Sequence, residues 1–172
     1  NGTLDMNSYL AFALQPLAQL PTAELTQLHA QFMEEVIAPM WLPKAELLLQ
    51  KHREQGDLLL IITSTNRFVA EPICRKLGVG VTELIATELE QRDDRYTGRV
   101  SGTPSYKEGK VVRLEAWLRK TGHNLAGSCF YSDSINDLPL LQIVDRPVAV
   151  DPCAALRREA EQRGWEIISL RD

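Results

Sequence analysis

The sequence lacks any apolar stretch long enough to cross a membrane and has no excess of basic residues. The apolar run 58–62 is far shorter than the roughly 20 residues that a membrane-spanning helix needs. Residues 1–20 contain neither the basic segment nor the small-residue cleavage site of a secretory signal. A net charge of −4 argues against nonspecific binding to nucleic acid, which requires a basic surface. We therefore expect no membrane and no nucleic-acid partner, and the sequence leaves the oligomeric state open.

Cysteine is also scarce. Cys74, Cys129 and Cys153 are widely spaced, odd in number and set in apolar surroundings. This pattern predicts reduced thiols in the core of a cytoplasmic protein and does not indicate a disulfide framework.

The chain divides into two parts by its pattern of apolar residues. Residues 1–55 have helical spacing throughout, with helices expected from Leu4, from Pro21-Thr22 and from Pro43 to Gln55, the last ending at Gly56. Residues 56–172 alternate between strand-like and helix-like segments, which predicts an α/β fold with a parallel sheet flanked by helices. The predicted elements there are strands at 58–62, 84–86, 128–131, 147–150 and 165–170, helices at 69–77, 108–119, 137–143 and 152–163, and a hairpin at 90–100 that turns near Asp93-Asp94 and again at Thr97-Gly98.

Two carboxylates follow one of the predicted strands. The segment 131–141 reads Tyr-Ser-Asp-Ser-Ile-Asn-Asp-Leu-Pro-Leu-Leu and places Asp133 and Asp137 on a small-residue turn after the apolar run 129–131. Acidic side chains at the carboxyl end of a buried strand suit a hard divalent cation such as Mg²⁺. A helix cap formed by Asp133 or Ser134 explains the same residues equally well.

Two further segments carry polar groups that fit an anion. Thr63, Ser64 and Asn66 stand at the end of the apolar strand 58–62, ahead of a helix, where they form either an anion site or an N-cap cluster. Lys110 lies in the first turns of the helix 108–119, a position that disfavours a cation unless an anion binds nearby. Taken alone, Lys110 is better explained as an ordinary helix-surface residue, and Lys107 is a competing candidate.

Together these segments resemble motifs of the haloacid dehalogenase (HAD) superfamily, in its phosphoserine-phosphatase-like branch (subfamily IB). The segment 131–141 resembles motif IV, with Ser132 where glycine is usual. Thr63 stands where motif II has its serine or threonine, and Gly109-Lys110 resembles motif III, 23 residues before Asp133. The resemblance implies a HAD-like Rossmannoid parallel sheet flanked by helices with a C1-type helical cap. Residues 1–55 would be a cap segment starting within the cap, and residues 56–172 the core.

The resemblance also implies a chemistry and a role for each residue. The implied chemistry is that of a Mg²⁺-dependent phosphatase acting through an aspartyl-phosphate. Asp133 would bind the metal, and Asp137 would bind it too or would hold Lys110 or a metal-bound water, with Asn136 orienting either. Thr63, Ser64, Asn66, Lys110 and Asn136 would bind the phosphate or the rest of the substrate. Arg67 is a further possible substrate contact, although a surface role suits it better.

One family motif has no counterpart in the sequence. HAD phosphatases carry a nucleophilic aspartate in Asp-x-Asp-x-Thr/Ser on their first strand, whereas Asp5 follows no apolar strand. We therefore expect the nucleophile to lie upstream, on a central strand between those leading to Thr63 and Asp133, without which residues 1–172 should not fold stably. A truncated, non-catalytic HAD-like binding or regulatory protein is the alternative, and transfer of phosphate to a small alcohol is a third possibility.

The substrate class follows from the cap. A helical cap between motifs I and II closes over a small molecule, so the resemblance implies a small phosphomonoester. Phosphoserine is the type substrate of the branch, and histidinol phosphate and other amino-alcohol phosphates are alternatives.

Overall fold

Residues 6–171 are described by a computed structural model. Its helices are α1 (Met6–Gln19), α2 (Thr22–Phe32), α3 (Pro43–Glu54), α4 (Arg67–Lys76), α5 (Glu108–Thr121), α6 (Leu138–Leu141) and α7 (Ala154–Arg163), and its strands are β1 (Ile61–Asn66), β2 (Leu84–Thr87), β3 (Leu89–Arg92), β4 (Arg95–Val100), β5 (Cys129–Ser132), β6 (Arg146–Val150) and β7 (Glu166–Ile168). The predicted helix start at Leu4 and the expectation for Asp5 lie outside the described residues. No helix among residues 6–171 is long and apolar enough to cross a membrane.

The first three helices confirm the helical pattern of the amino-terminal part. A π-helical turn at Met33–Ile37 and a 3₁₀ turn at Ala38–Met40 connect α2 to α3. The predicted stop after α3 is confirmed at Gly56, whose φ of 80° is a backbone conformation that favours glycine. There the N–H of Asp57 donates to the carbonyl oxygen of His52, which closes the last turn of the helix.

The parallel strands form two separate sheets. Strand β1 pairs with β2, and β5, β6 and β7 pair in that order; all of these pairings are parallel. A core formed by Ile85, Leu114 and Leu140 packs β2, α5 and α6 together, and Ile62 and Phe130 pack against it from β1 and β5. Full burial of a side chain such as that of Leu140 stabilises the fold by roughly 1.5–3 kcal/mol.

A groove of about 480 Å³ separates the two sheets. Residues 58–60 and Ile62 line one side of it, and Cys129, Phe130 and Tyr131 line the other. The expectation that the apolar segments 58–62 and 129–131 form buried strands is wrong in this respect, because Leu58 is 52% exposed and the other residues are only half-buried, most of them lining the groove. Among residues 6–171, β1 pairs only with β2, and β5 pairs only with β6.

The antiparallel hairpin β3–β4 packs on the amino-terminal helices. Asp93 and Asp94 form its turn with φ values of 49° and 58°, as predicted. The second predicted turn, at Thr97-Gly98, is wrong, because both residues lie within β4, close to an irregularity in the register. A Cβ atom on Gly98 would lie 3.4 Å from the Cβ of Ala18, so α1 packs closely on β4.

The division of the chain into a cap segment, 1–55, and a core, 56–172, stays a prediction.

Candidate active site

A buried ion pair joins the start of α5 to the turn after β5. The Nζ of Lys110 lies 2.5 Å from Oδ1 of Asp137, and both side chains are at most 10% exposed. The hydroxyl of Ser132 donates to the other oxygen, Oδ2, over 2.7 Å. Asp137 therefore uses one carboxylate oxygen to hold Lys110 and the other to accept from Ser132.

The local sequence explains how these three side chains meet. Ser132 is the last residue of β5, and a 3₁₀ turn at Ile135–Asp137 turns the chain back, so that Asp137 reaches the end of the strand. The hydroxyl of Ser132 also accepts the backbone N–H of Ser134 over 3.1 Å, which fixes the turn. Lys110 reaches the same place from the first turn of α5, which packs on α6 and β1.

Asp133 lies at the end of the same strand but is exposed to solvent. Its carbonyl oxygen accepts the backbone N–H of Cys153 over 2.9 Å, which ties the turn to the start of α7. Among the described residues, its carboxylate has no hydrogen-bond or ion-pair partner. It is therefore the carboxylate of this site that remains available to a cation.

The side chains of this site suit a magnesium ion that is bound by one protein carboxylate. Within residues 6–171 no three His, Cys, Asp or Glu side chains converge on a point that would hold a metal. Mg²⁺ does not require such a cluster, since it keeps several waters and is usually bound by one or two carboxylates and substrate phosphate. Asp133 suits that role. The contacts of Asp137 suit the other role predicted for it, which is to hold Lys110.

The strand that carries Thr63 begins at Ile61 instead of Leu58 and extends further at its carboxyl end than predicted. Strand β1 runs through Thr63, Ser64 and Thr65 to Asn66, and its register against β2 shifts between Ile62 and Asn66. The Thr63 hydroxyl accepts the N–H of Thr65 over 3.1 Å, and the carbonyl of Ser64 accepts the hydroxyl of Thr87 over 3.0 Å. No hydrogen bond among the described residues joins Thr63 to Lys110 or Asp133.

Asn66 acts as the N-cap of α4. Its Oδ1 accepts the backbone N–H of Val69 over 3.0 Å, as expected for a residue in this position. The capping role that the sequence allowed is therefore present, and it leaves the amide nitrogen of Asn66 for a ligand.

The guanidinium of Arg67 is held by contacts within the protein. Its guanidinium pairs with Glu88 over 2.9 Å and donates to the carbonyl of Leu84 over 2.8 Å. The hydrogen bond to Glu88 is the main cause that raises the pKa of Arg67 above its usual value. Arg67 thus ties the start of α4 to β2, and with its side chain 29% exposed this contact is compatible with the surface role that the sequence favoured.

Cys153 differs from the core thiol that the sequence predicted. Cys74 is fully buried, but Cys153 is exposed and forms the N-cap of α7. The backbone N–H of Leu156, together with those of Ile135 and Ala155, lowers the pKa of the Cys153 thiol. The prediction of a buried thiol is therefore wrong at this position.

Two residues of the site were missed by the sequence reasoning. Ser132 was noted only as a departure from glycine, and that substitution was the signal for its bond to Asp137. Tyr106 carried no signal, yet its hydroxyl donates to Oδ1 of Asn136 over 3.2 Å. The Ser132 contact is local to the turn after β5, whereas the Tyr106 contact depends on how the loop before α5 meets that turn.

Comparison with known proteins identifies the family of the chain. The sequence model of the haloacid dehalogenase-like hydrolases matches residues 1–142. A histidinol-phosphatase of Neisseria meningitidis is 46% identical over 175 residues, covering 99% of this chain and 78% of that protein. The phosphoserine phosphatase SerB1 of Mycobacterium tuberculosis is 36% identical over 149 residues, covering 87% of this chain and 48% of its own length, so the chain spans about half of this relative.

A solved structure shares the fold closely. A protein of unknown function from Bordetella pertussis is 46% identical and superposes with a TM-score of 0.93. The match covers 98% of this chain and 76% of the other. The arrangement of helices and strands described above is therefore that of a known fold.

Proposed function

This chain belongs to the haloacid dehalogenase-like hydrolase family as a phosphatase, and we propose on that premise that the whole protein hydrolyses a small phosphomonoester with Mg²⁺ and an aspartyl-phosphate intermediate. The observation that carries the proposal is the buried Lys110–Asp137 pair beside Ser132. A buried ammonium group held at the end of a parallel strand is a fixed positive charge for an anion that arrives there.

Lys110 is well prepared for this role. Because Asp137 holds only one face of the ammonium group, the other two N–H donors remain for the phosphoryl oxygens. Fixing the lysine in advance means that little reorganisation is needed when charge develops on the phosphoryl group. Thr63 and Ser64, at the end of β1, are the further contacts that we propose for these oxygens.

Asp133 is the proposed metal ligand. Bound Mg²⁺ would supply positive charge that neutralises the phosphate and orients it for attack. The contribution of this chain is an exposed carboxylate on a turn that is fixed through the Cys153 N–H and the Ser132 hydroxyl.

The nucleophile is proposed to lie outside residues 1–172. The groove between β1 and β5 supports this, since two half-buried parallel strands face each other across it. A strand inserted there would carry an aspartate to the same edge as Thr63 and Asp133. Its carboxylate would attack phosphorus and release the alcohol, and water would then hydrolyse the acyl phosphate to regenerate the carboxylate and release phosphate.

The substrate is proposed to be a phosphorylated amino alcohol. Histidinol phosphate is the first choice because the relative that covers 99% of this chain at 46% identity is named a histidinol-phosphatase. Phosphoserine is the second choice, since a relative at 36% identity is named for it.

The test is a substrate panel with the full-length protein. Release of inorganic phosphate is measured from histidinol phosphate, phosphoserine and p-nitrophenyl phosphate, with Mg²⁺ and with EDTA. We expect Mg²⁺-dependent release with the highest kcat/KM for histidinol phosphate. Phosphate transferred to added glycerol in place of water would indicate a phosphotransferase, and a correctly folded protein with no turnover would support the non-catalytic alternative.

A further inference from the structure

The loop before α5 contacts the turn after β5 through a second side chain besides Lys110. The phenolic hydroxyl of Tyr106 donates to Oδ1 of Asn136 over 3.2 Å, in a partly buried position. Asn136 lies between Asp133 and Asp137 in the chain. The loop therefore fixes both an acid and an amide of the same turn.

The backbone of the loop holds Tyr106 in place. Lys107 has a φ of 47° and a ψ of −123°, a conformation that L-residues rarely adopt. The N–H of Tyr106 donates to the carbonyl of Pro104 over 3.0 Å, and its own carbonyl accepts the N–H of Gly109 over 2.8 Å. A non-glycine residue in such a conformation persists only when surrounding contacts hold it, and these bonds supply that support.

In the structure the contact engages the oxygen end of the Asn136 amide. An asparagine side chain has one acceptor oxygen and a nitrogen with two donor hydrogens. Since the phenol occupies the oxygen, the nitrogen is the end that remains. Without the phenol, the amide would be free to turn its oxygen outward, where it would repel an anionic phosphoryl group.

We propose that Tyr106 is a positioning residue that acts through Asn136 and presents the amide N–H groups to the phosphoryl group. This inference rests on the proposed phosphatase function. Tyr106 itself touches neither the phosphoryl group nor the metal in this account. Its effect belongs to the turnover step, because donors to phosphoryl oxygens interact most strongly when charge develops in the transition state.

The test is the Tyr106→Phe variant of the full-length protein, which keeps the ring and removes the donor. We expect kcat for p-nitrophenyl phosphate to fall about three- to tenfold, the scale of one lost hydrogen bond, with KM changed less than about twofold. Tyr96→Phe is the matched control, since Tyr96 is also partly buried, its ring packs on Phe68, and it takes part in none of the site contacts described above. The control should keep the kcat of the wild type.

A double-mutant cycle with Asn136→Ala separates positioning from general packing. The two substitutions are combined, and urea unfolding is measured for all four proteins alongside kcat. We expect non-additive effects on kcat as well as on unfolding, because the second substitution removes a contact that the first has already broken, whereas a contact that serves packing alone would couple in unfolding and not in kcat.

Each other outcome overturns the proposal. Wild-type kcat in Tyr106→Phe would show that the hydroxyl does not act on turnover, and additive unfolding would show that it does not act through Asn136. A Tyr106→Phe protein that fails to fold would make the residue structural only. If the wild-type protein itself releases no phosphate, the proposed function fails first, which distinguishes the two failures.

Discussion

At the scale of single residues, the two lysines before the motif IV turn differ sharply in environment. Lys110 is buried and paired with Asp137, whereas Lys107 is exposed with its Nζ 5.3 Å from the centre of the Tyr106 ring. Both lysines are candidates from the sequence, and Lys110 is favoured because Gly109-Lys110 resembles the family motif. The structure adds a physical reason for that preference, namely a fixed charge held by Asp137 and Ser132 at the end of a parallel strand.

Lys110→Ala is expected to lower kcat by roughly 10² or more, the usual scale for one preorganised electrostatic contact. The kcat of Lys107→Ala should stay close to that of the wild type, because the Lys107 side chain is exposed to solvent and contacts the Tyr106 ring. Steady-state assays of both variants in the full-length protein check this. A larger loss in Lys107→Ala than in Lys110→Ala would mean that the wrong lysine was assigned.

At the scale of elements, the start of α5 depends on a close approach of the chain to itself. A Cβ atom on Gly109 would lie 2.2 Å from the carbonyl oxygen of Pro104, which is backbone and has little freedom to move. The glycine before Lys110 therefore has a steric function that its motif alone did not explain.

Gly109→Ala is expected to destabilise the protein by about 1–3 kcal/mol, as overpacking does elsewhere, and to reduce activity by displacing Lys110. Gly80→Ala is the matched control. A Cβ there would clash with the end of the Glu83 side chain, which is flexible and can move away, and would touch the Thr82 hydroxyl at an ordinary contact distance of 3.7 Å. Urea unfolding of both variants gives the comparison, and equal stability losses would contradict the steric account.

Most elements could be predicted from the sequence because their signals are local. The helix stop at Gly56 and the turn at Asp93-Asp94 depend on residues that tolerate positive φ. The carboxyl end of β1 was missed because the apolar run stops at Ile62, while the β-branched residues Thr63 and Thr65 continue the strand. Gly98 predicts a turn by its residue type, but a positive φ inside a strand marks an irregularity of register equally well.

The candidate site was predictable in its motif residues and unpredictable in their partners. Lys110 and Asp137 were chosen by family resemblance, and they do meet. The contacts of Tyr106 and Arg67 arise from packing between distant segments, for which a single sequence carries no spacing signal, whereas the contact of Ser132 with Asp137 is local to the turn after β5.

At the scale of the whole molecule, the groove between the two sheets is the dominant feature. Half-buried strands β1 and β5 face it, and each unsatisfied backbone group that becomes buried costs roughly 1–3 kcal/mol. Total stabilities of domains are only about 5–15 kcal/mol. The α/β part is therefore expected to need a strand in the groove to be stable.

Residues 1–172 expressed alone are thus expected to be insoluble or molten, whereas the full-length protein should unfold cooperatively. Near-UV circular dichroism during heating distinguishes the two states, since a molten chain lacks fixed tertiary packing. A cooperative melt of the 172-residue chain with native near-UV signal would show that the groove is tolerated without an added strand.

The most direct test of the phosphatase site is Asp133→Asn in the full-length protein. The substitution is nearly isosteric and removes the negative charge of the one carboxylate that the described site leaves free for Mg²⁺. The release of phosphate from p-nitrophenyl phosphate is measured over a titration of Mg²⁺, with the melting temperature as a control for folding. We predict a folded protein without Mg²⁺-dependent hydrolysis, and wild-type turnover at saturating Mg²⁺ would contradict the account.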